Sequence, residues 1–120
     1  MNKIYIVLTA ILLASAMISV IHAQTPWQQT SAADVLFEYR VTQDGQNLEG
    51  RLTGDTTGWV AVGFNPTTVM RNANIIIAYV SGGNTMIRDD WGTSNTSHAS
   101  DLALGGTSDV TLVNGVETAG

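Results

Sequence analysis

The sequence predicts an all-β fold. Short runs rich in Val, Ile, Tyr, Phe and Trp recur along the chain, and Gly-, Asn- and Asp-rich turns separate them. No segment carries the 3.6-residue apolar period of an amphipathic helix, and no internal repeat is visible. Such a pattern closes into a sandwich or a barrel.

The first residues read differently. Lys3 supplies a minimal basic start, Ile4 to Ile21 is almost uninterrupted apolar sequence, and Ile21-His22-Ala23 resembles a small-residue cleavage site before Gln24. Residues 1–23 are therefore expected to be a signal peptide in helical form; an uncleaved anchor of the same length is the alternative. Either way the rest of the chain is expected to be exported, to the periplasm or the extracellular space, with the mature domain outside the membrane. Residues 24–33 are a polar leader, and the β-sandwich is expected over 34–120.

Within that span the elements follow in order. In 34–42, Val35, Phe37, Tyr39 and Val41 alternate with Leu36, Glu38 and Arg40, a half-buried strand. Asp44-Gly45 signals a hairpin, and Leu48, Gly50 and Leu52 share one face of the returning strand 46–53. After the loop 54–57, Gly58 to Phe64 is a dense β run that Pro66 stops, because proline cannot donate to a ladder. Residues 66–71 form a short connection, read as one helical turn. Ile75-Ile76-Ile77 within 73–81 is apolar on both faces, as in a central strand. Gly82-Gly83-Asn84 turns into strand 85–91, residues 92–100 read as a long polar loop, and 109–113 is the last strand. Asn114-Gly115 is a type I′ hairpin signal whose returning arm has no room before Gly120. That leaves a frayed terminus or a fragment lacking its last strands as the two readings.

Composition excludes much chemistry. Without residues 1–23 the chain keeps 97 residues (120 − 23), four arginines, no lysine and ten acidic residues, a net charge of 4 − 10 = −6. No nucleic acid partner is expected, since that needs a basic footprint. With no cysteine, disulfides, thiolate catalysis and iron–sulfur clusters are excluded. One histidine, His98, remains, and no nucleophile–base constellation stands out, so no enzyme is expected.

The stretch Thr57-Gly58-Trp59-Val60-Ala61-Val62-Gly63-Phe64, then Met70, then Ala73-Asn74-Ile75-Ile76-Ile77-Ala78-Tyr79-Val80, resembles the DOMON domain. Ile87-Arg88-Asp89-Asp90-Trp91, Ser97-His98-Ala99-Ser100-Asp101 and Leu104-Gly105-Gly106 extend the likeness over 34–120. This family is related to the N-terminal domain of dopamine β-monooxygenase and the cytochrome domain of cellobiose dehydrogenase; the small exported bacterial members are the most similar. The resemblance implies an immunoglobulin-like antiparallel β-sandwich. It also implies either a haem b site held by a methionine and a histidine, or a site for sugars and related ligands. Met70 matches the position of the family's methionine. The family's histidine lies further towards the C-terminus than this chain runs, so His98 or a later histidine would complete the pair.

Each candidate has a plain alternative. Met70 is a gap filler or a soft iron ligand. His98 is a solvated loop histidine, a second haem ligand or a rim contact, with Asp101 placed to orient its ring. Trp59 is expected in the core and Trp91 against a ligand. Asp89 and Asp90 face opposite ways on a strand and form no catalytic pair. Asn95-Thr96-Ser97 is a glycosylation sequon. The resulting expectation is an exported haem-b-binding electron-transfer domain using Met70, His98 and Trp91, serving a redox partner or a membrane cytochrome. The alternative is a carbohydrate- or small-ligand-binding sandwich without redox activity, built on Trp91 and loop 92–100.

Overall fold

The computed structural model describes residues 3–9 and 24–118. Two antiparallel sheets face each other as a β-sandwich. The strands are β1 (Lys3–Thr9), β2 (Gln28–Ala32), β3 (Val35–Val41), β4 (Leu48–Asp55), β5 (Trp59–Phe64), β6 (Asn74–Ser81), β7 (Asn84–Gly92), β8 (His98–Ser100) and β9 (Thr111–Thr118). A five-stranded sheet runs β2-β3-β4-β1-β9 and a four-stranded sheet runs β5-β6-β7-β8.

Alternation builds the interior. Phe37 on β3 pairs with Leu52 on β4, and Leu52 with Ile6 on β1, so one row of apolar side chains crosses the first sheet. Val60 and Ala78, paired across β5 and β6, answer from the second sheet. Ile4, Ile6, Leu52 and Val60 are wholly buried, each burial contributing about 1.5–3 kcal/mol. Gly54 permits the close approach of the sheets: a Cβ there would lie 2.3 Å from the Val60 Cγ1. Aromatic contacts extend the core to its edge, Phe37 stacking on Tyr39 at 5.2 Å and meeting Phe64 edge-on at 5.8 Å.

Five elements differ from the sequence expectation, the shortest being His98–Ser100, which pairs with β7 as strand β8 inside the stretch read as a polar loop. Lys3–Thr9, expected in a signal helix, is a strand in the interior of the five-stranded sheet, pairing with both β4 and β9; residues 10–23 lie outside the described residues. The seven residues of β1 on their own suit a buried strand; it is their continuation to Ile21 that reads as a leader. The polar leader contains edge strand β2, held by its backbone register with β3 rather than by any apolar face. Trp27 beside it lies against two guanidiniums, Arg51 at 4.1 Å and Arg40 at 4.6 Å.

The connection 66–71 contains no helix; Thr68 and Arg71 close a tight turn there. Asn114-Gly115 is no hairpin, since β9 runs straight through it. The irregularity surfaces instead as a bulge, the register with β1 jumping from Val7↔Asn114 to Leu8↔Leu112. The Thr85 hydroxyl also donates to the Gly115 carbonyl oxygen at 2.9 Å, tying β9 to the second sheet.

Candidate functional site

The outer face of the four-stranded sheet is apolar where a sandwich is normally wet. Register fixes which residues stand on it. Trp59 pairs with Tyr79, Ala61 with Ile77 and Gly63 with Ile75, all turned away from the core row of Val60, Val62, Ile76 and Ala78. These residues floor a groove of about 910 Å³, within the range of small-molecule and cofactor sites. The connection between β5 and β6 walls one end with Pro66, Val69 and Met70, and β7 and β8 bring Arg88 and His98.

Met70 reaches this wall through a constrained loop. Asn65, Val69 and Asn72 all have positive φ, at 52°, 50° and 62°. For a β-branched residue such as Val69 that is a rare conformation, held only where the surroundings over-determine it. The surroundings are visible: the Asn72 amide donates to the Gly92 carbonyl, the Gly92 amide to the Ala73 carbonyl, and the Ala73 amide to the Met70 carbonyl. Gly92 is required, because a Cβ there would stand 1.6 Å from the Met70 carbonyl oxygen. Residue 92 is also the register partner of His98. One glycine thus joins the Met70 segment to the histidine strand.

Beside them Asp90 is fully buried on the same outer face. It accepts from Arg88 through both oxygens, Nε to Oδ1 at 3.1 Å and Nη2 to Oδ2 at 2.7 Å, and its Oδ2 lies 2.6 Å from His98 Nδ1. The carboxylate on His98 is therefore Asp90, not the Asp101 that the sequence spacing suggested. Nothing in the sequence marks this partner, since residue 90 meets residue 98 only through the β7–β8 register.

Asp89 points the other way, into the sandwich, as strand alternation requires. Its Oδ2 accepts from the Asp109 amide at 2.8 Å while Oδ1 has no partner among the described residues. Burial, followed by the neighbouring charges of Asp101, Asp109 and Asp90, pushes its pKa above the ordinary 3.8. No group of three or more His, Cys, Asp or Glu side chains among the described residues is arranged to hold a metal ion.

The structure thus brings Met70 and His98 to one groove and leaves Trp91 out of it. Trp91 pairs with Asn74 at the end of β7, 40% exposed, away from the groove lining. Trp59, expected in the core, is 65% exposed and lines the groove instead. Strand parity would have found it: Trp59 and Val60 cannot share a face, and Val60 continues the core row.

The DOMON domain family matches residues 31–120. The chain belongs to this family. DOMON domains occur in haem- and ligand-binding modules and are typically extracellular. No curated protein and no solved structure matches the chain. Among the described residues no helix is long and apolar enough to cross a membrane.

Proposed function

We propose that this DOMON domain is an exported module that binds a flat, largely apolar ligand on the outer face of its four-stranded sheet, and that the ligand is haem b used for electron transfer. The observation carrying this reading is the convergence of Met70 and His98 on one apolar groove. A thioether and an imidazole are a soft donor set suited to haem iron, and together they favour its reduced state. The residues present fit such a group: Ile75, Ile77 and Ala61 offer a flat floor, Trp59 and Tyr79 a stacking edge, and Arg88 a cationic corner for a carboxylate. The bound group would supply one-electron chemistry. The protein's part is to position it, exclude water from one face and present the two donors. The carbohydrate alternative loses the residue it was built on, because Trp91 stands outside the groove; Trp59 and Tyr79 are the rings it would have to use instead.

Export rests on the leader-like residues 1–23 and on the usual location of the family. A redox protein or membrane cytochrome is the corresponding partner.

Haem titration into the full chain tests the reading. Expected is an intense Soret band with sharp α and β bands on reduction, both altered in Met70→Ala. Absence of haem uptake by the folded chain would overturn the haem assignment. Binding of a sugar ligand that depends on Trp59 or Trp91 would favour the non-redox reading.

A further inference from the structure

We propose that Asp90 is a positioning residue that fixes the tautomer of His98, holding the proton on Nδ1 so that Nε2 carries the lone pair the ring offers to the groove. The inference deepens the ligand-groove reading and rests on it for its purpose, but its chemistry stands on the Arg88–Asp90–His98 geometry alone.

Asp90 is a carboxyl with no exposed surface on a face otherwise floored by aliphatic side chains. A buried acceptor of this kind is costly unless paired. The pairing is complete: both oxygens accept from the Arg88 guanidinium in a fork. In this fork both carboxylate oxygens are acceptors. The hydrogen in the 2.6 Å contact with His98 must therefore reside on Nδ1. In the neutral ring this leaves Nε2 as the sole lone-pair nitrogen. A free imidazole side chain favours the opposite tautomer, so the carboxylate inverts the default.

The backbone explains why Asp90 can reach. On β7 and β8, Asp90 pairs with Ser100 and Gly92 with His98, so residues 90 and 98 are diagonal neighbours on one face. Gly92 between them carries no side chain to intrude, and the Met70 carbonyl packs against it. The ring is held by its Nδ1 edge beside the segment that presents the thioether. Histidine ligands elsewhere are oriented in this way by a carboxylate on the second nitrogen, and losing that carboxylate typically costs about 10–100-fold in affinity. A purely structural role would be to stitch the three-residue strand β8 to β7, and such a role would be indifferent to which nitrogen bears the proton.

The experiment reads the tautomer directly, on the full chain without haem, by ¹⁵N NMR of the His98 ring at a pH where the ring is neutral. Expected for the parent chain is a protonated Nδ1 and a lone pair on Nε2. In Asp90→Ala the ring should revert to mostly Nε2–H, while Asp90→Glu, which keeps a carboxylate, should retain part of the parent signature. A parent chain showing Nε2–H would overturn the proposal without any variant, so a failure of Asp90→Ala to fold does not shield it. A folded Asp90→Ala chain with an unmoved tautomer would overturn it too. Haem titration separates the two readings. Uptake weakened roughly 10–100-fold in folded Asp90→Ala supports a positioned ligand. A chain that binds no haem yet keeps its Nδ1–H signature loses the haem assignment and retains the positioning role.

Discussion

The two sheets share a core but use their outer faces differently. The five-stranded sheet turns Glu38, Arg40, Glu49 and Arg51 outward, with Arg40 ion-paired to Glu49 and both arginines against Trp27. Trp27 lies over those arginines, while Tyr5 and Val116, paired across β1 and β9, remain exposed. The four-stranded sheet turns Ala61, Gly63, Ile75 and Ile77 outward and leaves them as a groove floor. Connectivity differs as well. The second sheet is a meander of sequence neighbours, whereas the first is completed by β1 and β9 from the two ends of the chain. The second sheet is therefore a scaffold on one face and offers the proposed binding surface on the other.

Substitutions should separate these roles. The largest effect is expected in the scaffold: Ile6→Ala, at a wholly buried site in an interior strand, should lower unfolding free energy by about 2–5 kcal/mol, read by urea denaturation with tryptophan fluorescence. Haem affinity of the folded fraction should stay the same.

Next come two glycines that serve different regions, Gly92 against the Met70 backbone and Gly54 against the Val60 side chain. Gly92→Ala should cost about 1–3 kcal/mol and also weaken ligand binding, because the new Cβ displaces the Met70 carbonyl. Gly54→Ala, crowding Val60 between the sheets, should cost a similar amount and leave the groove unaltered. If both weaken the ligand equally in parallel titrations, the proposed separation is lost.

A smaller stability effect, within about 0.5 kcal/mol, is expected for exposed Trp59→Ala, together with a loss of ligand affinity on the order of tenfold, about 1.4 kcal/mol. Calorimetric binding beside thermal melts would show both.

The smallest effect is electrostatic. Asp89 holds its proton more tightly in the native than in the unfolded state, because burial and three neighbouring aspartates oppose its charge. Its favourable contribution is therefore full below 3.8 and is lost as pH rises through the raised native value. Asp89→Asn keeps an acceptor for the Asp109 amide and removes that loss. The variant should gain stability at neutral pH and none below 3.8, giving a flatter stability profile; an unchanged profile would contradict the assigned cause.

Much of this was legible in the sequence. Strands β3 to β7 follow from alternation and turn residues, and Met70 was marked by its place after the Gly58–Phe64 run. What escaped was decided by pairing rather than by local pattern. β2 is polar and fully exposed, so no apolar period marks it. His98 lies among Ser, Thr and Asn and looked like loop; its strand character comes from Gly92 opposite, and its carboxylate partner from a diagonal across two strands. Asn114-Gly115 carries a strong turn signal, yet β1 and Thr85 hold both sides of β9 and convert the turn into a bulge. Trp59 faces the groove and Trp91 lies outside it, because strand parity rather than residue type decides which side of a sheet a residue occupies.

Strand β1 has a consequence for processing. Both β4 and β9 run antiparallel to it, so they are parallel to each other and two strand spacings apart, about 10 Å. They cannot bond directly. A peptidase cutting after Ala23 would remove the seven residues of β1 together with three core side chains, Ile4, Ile6 and Leu8. Precursor and trimmed chain would then differ in topology, not merely in length. The trimmed form would carry a vacancy one strand wide, with unpaired backbone on both rims, and would need a replacement strand to close. Amide hydrogen exchange on β4 and β9, compared before and after the cut, would show whether that vacancy is left open or filled.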